Sequence, residues 1–203
     1  VAAFIAPAVL IIAHNAQFDR ASTAIFRVEQ NNFPVADDGF LVPGTTNPAY
    51  RAAQGTVSKG YEAAVQGQVL DGWDVSVGWS QFSAKDGDGA NVQAHHPRRA
   101  FRLSTKYELP GALDRISVGG SLRWESRPPQ TAVNPGRGLT EPVGQPAYVL
   151  VNLMGQFKVT DQTSVQLNVD NVFDKTYYSN NVWFAGFVYG EPRRVRATLR
   201  HAF

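Results

Sequence analysis

The chain has 203 residues, 43% hydrophobic and 18% charged, with a formal net charge of +2; that is enough for one domain, and the Lys and Arg are scattered rather than gathered into the basic stripe that nucleic acid selects. It contains no cysteine, which excludes a disulfide framework and a thiolate metal site. No apolar run approaches the roughly 20 residues a membrane helix needs, so a bilayer could be crossed only by strands, whose signal is weak segment by segment.

In chain order, the opening Val1 to Ala13 is the one candidate targeting segment. It lacks a positively charged start and an initiating Met, and Pro7 interrupts it, so it does not read as a signal peptide. Residues 1–16 are expected to be an irregular leading segment, or part of a strand from a longer parent chain, and residues 17–203 the folded body.

Eight stretches then alternate with period two, the signature of a strand with two unlike faces. About Phe18 to Gln30, Ala24, Phe26 and Val28 share one parity and Arg27 and Glu29 the other. About Val57 to Val69, Tyr61, Ala63 and Val65 oppose Glu62, Gln66 and Gln68. Next, Trp73, Val75, Val77 and Trp79 oppose Asp74, Ser76 and Ser80; Phe101, Leu103 and Tyr107 oppose Arg102, Ser104, Lys106 and Glu108; and Ile116, Val118, Leu122 and Trp124 oppose Arg115, Ser117, Ser121, Arg123 and Glu125. The last three set Val149, Val151, Leu153, Phe157 and Val159 against Asn152, Gln156 and Lys158; Val165, Leu167 and Val169 against Gln166, Asn168 and Asp170; and Val195, Ala197, Leu199 and Phe203 against Arg194, Arg196, Thr198 and Arg200. The prolines are expected to lie outside the strand interiors, where a missing amide hydrogen would break the ladder.

The connections between these stretches run about 26, 3, 15, 5, 21, 4 and 18 residues, so long and short alternate, as in outer-membrane barrels with short periplasmic turns and long extracellular loops. Trp73, Tyr107, Phe157 and Phe203 lie near the short-turn ends, while Phe101, Trp124 and Tyr148 lie near the long-loop ends. From Ile116 to Trp124, at about 3.3 Å per residue and a tilt near 40°, the depth is about 20 Å, close to the roughly 25 Å apolar band between two aromatic girdles. The expected fold is all-β: an antiparallel up-and-down transmembrane β-barrel segment of about eight strands. A soluble sandwich would use the same alternation to bury its apolar face under a second sheet.

Catalytic and metal motifs are thin. Asp86-Gly87-Asp88-Gly89 has Ala90 where a calcium loop needs a third oxygen and no Glu at the right distance, so it reads as a solvated hairpin loop. His95 and His96 point opposite ways on an extended chain, and no nucleophile accompanies them. There is no Gly-x-Ser-x-Gly and no His-Glu-x-x-His, so the chain is not expected to be an enzyme or to bind a metal of its own.

The carboxyl-terminal region carries a more specific pattern. Val165-Gln166-Leu167-Asn168-Val169-Asp170-Asn171-Val172-Phe173-Asp174-Lys175-Thr176-Tyr177-Tyr178, then Tyr189-Gly190-Glu191-Pro192-Arg193-Arg194-Val195 and a final strand ending on Phe203, closely resembles the end of TonB-dependent siderophore receptors. There an Asn-(Leu/Val)-Phe-Asp-Lys-x-Tyr-Tyr run precedes a Gly-Glu-Pro-Arg turn and a last strand closing on Phe. The resemblance extends back to about Ala24, through Ser58-Lys59-Gly60-Tyr61-Glu62 and Gln145-Pro146-Ala147-Tyr148.

The resemblance implies the carboxyl-terminal part of a barrel of about 22 strands in a Gram-negative outer membrane, carboxyl terminus in the periplasm and long loops outside the cell. It implies uptake of a ferric siderophore, with iron present only as part of that ligand, and a TonB complex acting on a plug domain that these residues do not include, so this chain alone is not expected to transport. Outer-membrane lipid and the barrel-assembly machinery are the other implied partners, the latter reading Leu199 and Phe203, with His201 standing where an apolar or aromatic residue is usual. Asn171, Phe173, Asp174, Gly190, Glu191, Pro192 and Arg193 are expected to be structural, with Asp170, Asn171 and Asp174 accepting backbone hydrogen bonds where the strand leaves the membrane. Tyr177, Tyr178, Trp183, Phe184, Phe187 and Tyr189 are the candidate ligand contacts, since rings offer large, stiff surface with a polar handle. The alternatives are a small outer-membrane pore or anchoring barrel and a secreted carbohydrate-binding sandwich.

Overall fold

The computed structural model describes residues 4–8, 17–53, 55–92, 96–129, 144–183 and 186–203. Its strands are β1 (Phe4–Ala8), β2 (Gln17–Gln30), β3 (Phe33–Leu41), β4 (Pro48–Ala53), β5 (Thr56–Leu70), β6 (Trp73–Lys85), β7 (Arg99–Glu108), β8 (Ile116–Glu125), β9 (Tyr148–Lys158), β10 (Thr163–Asp170), β11 (Tyr178–Trp183), β12 (Gly186–Tyr189) and β13 (Arg194–His201). The eight alternating stretches are β2, β5 to β10 and β13, and they lie side by side in chain order, each antiparallel to the last.

Two features go beyond the sequence reading. Phe4–Ala8, inside the segment expected to be irregular, pairs with β2 from Phe4↔Arg27 to Ala8↔Thr23 and makes a ninth strand of the sheet. Two of the long connections also hold hairpins of their own, β3 with β4 and β11 with β12. The rule that prolines avoid strands fails at Pro7 in β1 and Pro34 in β3. Each of those strands has a single neighbour among the described residues, and an edge tolerates a residue with no amide hydrogen.

The short connections are built by turn chemistry. Between β5 and β6, Gly72 takes φ +74, a conformation glycine adopts without steric penalty, and its carbonyl accepts the Glu108 amide of the next hairpin at 2.8 Å. Between β9 and β10, Thr160 and Thr163 exchange backbone hydrogen bonds. Register then follows from these turns, because a slip of one residue would exchange the faces of a strand.

Register defines two faces. On one, Trp79, Phe101 and Trp124 stand in a cross-strand row, and Trp73, Tyr107 and Val118 form another nearer the short turns; the Trp79 and Trp124 rings are stacked with centroids 5.9 Å apart. On the other, Ser76, Ser104, Ser121 and Asn152 line up across four strands. The charges on that face pair both along and across strands: Arg123 with Glu125 at 2.6 Å and Lys106 with Glu108 at 2.7 Å, each two residues apart, and Asp170 with Arg194 and Arg196 at 3.4 Å. Pairing along one strand is natural at period two, since residues i and i+2 share a face.

β2 corrects one face assignment. Its register with β5 sets Phe26 opposite Gly60 and Ile25 opposite Tyr61, so Ala24, Phe26 and Val28 join the polar face and Ile25 the apolar one. Both parities of β2 carry apolar residues, and the ion pair Arg27–Glu29 falls at the long-connection end, where a charge on the outer parity stays clear of the apolar band. Tyr148 is also misassigned by an outward girdle: Val149, Val151 and Leu153 hold the outer parity, and Tyr148 pairs with Glu125 on the inner face.

Nothing among the described residues covers the apolar face. Among the described residues the buried apolar ones are Ala84, Val92, Tyr148 and Leu150, of which Ala84, Tyr148 and Leu150 have the inner parity and Val92 lies in a connection, while on the outer face Leu153 is 51% and Leu199 69% exposed, and Val75, Leu122 and Val151 are partly exposed. A sandwich would have buried these side chains between two sheets, and an uncovered apolar face of this extent marks contact with another phase or partner.

Candidate functional site

The two halves of the carboxyl-terminal pattern close on each other at the end of β10. Asn171 turns the chain with φ 49, a left-handed conformation that Asn and Asp visit more readily than most residues. It is 4% exposed. Its side chain donates from Nδ2 to the carbonyls of Lys175 (2.9 Å) and Glu191 (3.1 Å) and accepts the Lys175 amide at 2.8 Å, while its own amide donates to Asn152 Oδ1 at 2.8 Å. Asp174, with φ 51, accepts the Arg193 amide at 2.8 Å. The Asn-Val-Phe-Asp-Lys turn is thereby tied to Gly-Glu-Pro-Arg across the connection that holds β11 and β12. Glu191 pairs with Arg194 at 2.9 Å, Pro192 lies between these tied residues, and Phe173 is turned out to solvent. Asp170, expected to accept backbone amides, faces Arg194 and Arg196 instead.

Above this clasp is an aromatic rim. Tyr177 stacks on Tyr148 with centroids 5.1 Å apart and planes 24° from parallel. The same ring lies against Gly190, where an added Cβ would fall 2.0 Å from it, and the Gly190 amide donates to the Tyr177 carbonyl at 2.8 Å. Glycine at 190 therefore serves close approach, not a special φ. Tyr178 opens β11 with its amide donating to Gln145 Oε1 at 2.7 Å, and its ring lies 5.1 Å from that of the exposed Tyr189. The hydrogen bond to Tyr189, with burial second, raises the Tyr178 hydroxyl above its ordinary pKa. Trp183 pairs with Gly186 and Phe187 with Asn181 along the hairpin backbone, and Phe184 lies outside the described residues.

Sequence reasoning missed the support under this rim. Tyr148, 4% exposed, donates its hydroxyl to Glu125 at 2.8 Å and accepts from Arg123 at 3.2 Å. The signal was available in the parity of Val149 and Val151, which turns Tyr148 to the charged face. Gln145, also buried, was legible only as part of a motif, because its carbonyl partner is a backbone amide far along the chain.

Elsewhere, Asp86 accepts the amides of Asp88 (3.1 Å) and Ala90 (2.8 Å), using its carboxylate to build the turn. Arg98 holds the same loop by donating to the Val92 carbonyl, with its guanidinium 4.7 Å from the Phe82 ring centroid. Burial lowers its pKa, and its Nε and Nη1 are buried without a hydrogen-bond partner. His95 lies outside the described residues. At the carboxyl terminus Leu199 faces outward, Phe203 is fully exposed, and His201 meets Phe203 edge-on at 4.9 Å and Thr163 Oγ1 at 2.9 Å.

A sheet whose neighbours follow chain order, with an uncovered apolar face, a charged opposite face and alternating short and long connections, defines a segment of a membrane-spanning β-barrel. The chain belongs to the TonB-dependent receptor-like β-barrel family, whose pattern matches residues 13–172, and is a segment of a Gram-negative outer-membrane receptor. It is 36% identical over 185 residues to the ferripyoverdine receptor of Pseudomonas aeruginosa, covering 90% of this chain and 23% of that protein. The pyoverdine receptor FpvA of the same organism, solved bound to pyoverdine, superposes with a TM-score of 0.77 at 34% identity over 90% of this chain and 27% of that one. The complex of FpvAI with pyocin S2 gives 0.76 at 34% identity, covering 89% and 25%. The chain thus spans about a quarter of the length of these relatives.

Proposed function

We propose that this chain is the carboxyl-terminal barrel segment of a receptor for uptake of ferric siderophores of the pyoverdine type. The supporting observation is the 36% identity to a ferripyoverdine receptor across 90% of the chain, with Asn171, Asp174, Gly190 and Arg193 joined in one clasp beneath a tyrosine rim. The short turns face the periplasm, together with the carboxyl terminus, and the long connections face outside. Tyr177, Tyr178 and Tyr189 meet the chelate from the extracellular side, joined by residues of the β11–β12 hairpin including Trp183, Phe184 and Phe187. No bond is made or broken in the barrel. Passage depends on a plug and a TonB complex beyond these residues, and Leu199 and Phe203 face the assembly machinery and then lipid.

The test is uptake of radiolabelled iron as ferripyoverdine by a strain whose own receptor is deleted, complemented with the full receptor that contains this chain. Energy-dependent accumulation above the deleted strain is the expected result. No accumulation, with the receptor folded in the outer membrane, would overturn the reading.

A further inference from the structure

We infer that Arg27, Lys59, Lys85 and Arg99, on the outward face at the long-connection ends of β2, β5, β6 and β7, seat the phosphates of the glycolipid of the outer leaflet, lipopolysaccharide. This rests on the orientation given above, with the long connections outside the cell, and not on the identity of the chelate.

Register places all four cations on the lipid-facing parity. Arg27 stands opposite Lys59, two residues beyond the pair Ile25↔Tyr61. Lys59 stands opposite Ser83, two residues from Lys85, and Arg99 stands opposite Gln81, two residues beyond the pair Trp79↔Phe101. All four side chains are exposed, and their strands each have a neighbour on both sides, so the array is carried by a rigid sheet. The carboxylate among them is Glu29, which pairs with Arg27.

Like charges directly or diagonally opposite lie about 5 Å and about 7–8 Å apart at their roots and repel. Arg27 with Lys59 is the first arrangement and Lys59 with Lys85 the second. An anion laid over them removes the repulsion, and phosphate oxygens suit both the guanidinium fork and the ammonium. A plug and the far wall of a barrel lie behind this sheet, so neither reaches its outward side. The anion comes from the lipid side.

Depth selects the lipid. Trp79, Phe101 and Trp124 form a cross-strand aromatic row. Arg99 is two residues beyond Phe101, Lys59 is four beyond Ala63, which pairs with Trp79, and Lys85 is six beyond Trp79. At about 3.3 Å per residue and a tilt near 40°, they stand about 5, 10 and 15 Å above the row. A phospholipid headgroup layer is only about 5–8 Å thick on each side of the bilayer, so a single level of phosphate meets Arg99 and little else. A thick sugar headgroup phosphorylated at more than one point meets several levels, while its acyl chains lie against the aromatic row. Toward the short turns, among the described residues, no Lys or Arg takes the outward parity of the sheet. Side chains that merely snorkel to an interface would be found at either one; cations at one end alone fit a bilayer whose two leaflets differ.

The experiment titrates the purified full receptor in detergent with bisphosphorylated lipid A, with the same lipid stripped of its phosphates, and with phosphatidylglycerol, reading bound lipid by native mass spectrometry. Wild type is expected to prefer the bisphosphorylated form to either other lipid by about tenfold. K59Q/R99Q is expected to bind it about thirtyfold more weakly, since two cations are removed. K158Q/R200Q, which removes two cations from the inner face, both opposite Ser164, is expected to match wild type. Equal wild-type affinity for the three lipids, affinity for none, or preference for phosphatidylglycerol would overturn the site without recourse to any variant. So would unchanged binding by K59Q/R99Q, or equal weakening in K158Q/R200Q, which would indicate only a general field. Ferripyoverdine uptake is read separately, so its failure would strike the siderophore reading and leave the lipid measurement standing.

Discussion

Replacing Asn171 with Ala in the full receptor removes the side chain on which the clasp is built. Three hydrogen bonds are lost, those to the carbonyls of Lys175 and Glu191 and from the Lys175 amide. The residue is 4% exposed, so water does not replace them; at about 1 kcal/mol net for each, the loss is about 3 kcal/mol. Ala must also hold φ 49, which adds about 1 kcal/mol for a residue with a Cβ in the left-handed region. The expected total is about 4 kcal/mol. Asn171→Gly is the control, losing the same hydrogen bonds without the backbone penalty, and should be less destabilised by about 1 kcal/mol. Urea unfolding of the receptor in micelles, followed by tryptophan fluorescence, measures both. Midpoints of both variants within about 1 kcal/mol of wild type would refute the clasp as a stabilising element.

The remaining expectations address separate parts of the molecule. Leu153 is half-exposed on the apolar face, and Leu153→Arg should cost about 2–4 kcal/mol if hydrocarbon surrounds that face; Gln156→Arg on the inner face of the same strand should be near neutral, and equal effects of the two on folding into lipid vesicles would contradict the face assignment. Gly190→Ala should push the Tyr177 ring off Tyr148 and lose about 1 kcal/mol of stacking, a loss that vanishes in the Tyr177→Ser background; a double-mutant cycle of unfolding midpoints without coupling would contradict the contact. Arg98→Met keeps apolar packing against Phe82 and loses the hydrogen bond to the Val92 carbonyl together with the two buried, unpartnered nitrogens; with the lost bond offset by the relieved desolvation, the loop around Asp86 should resist proteolysis as well as wild type, whereas Arg98→Ala should be cut faster. Faster cutting of the Met variant would show that the bond to Val92, more than the packing, holds the loop.

Much of this architecture was legible from parity. The alternation in β5 to β10 and β13, and the alternation of short and long connections, together define an antiparallel sheet with unlike faces, because period two and turn length are local properties. The clasp was partly legible as well, since Asn171, Asp174 and Gly190 stand in a recognisable order, although the reason for Gly190 is the Tyr177 ring, which no turn rule predicts. β2 was not legible: with apolar residues on both parities, only its register against β5 decides that Ile25 faces outward and Phe26 inward.

What the chain by itself determined was therefore which residues alternate and where the polypeptide turns. What the tertiary structure alone decided was partnership: that Tyr148 joins Glu125 and Arg123, that Arg102 stands opposite Arg123, and that among the described residues no second layer covers Leu153 and Leu199. The physical reason is that periodicity is set within a few residues, whereas hydrogen bonds, ion pairs and burial depend on which distant strand lies alongside and in what register.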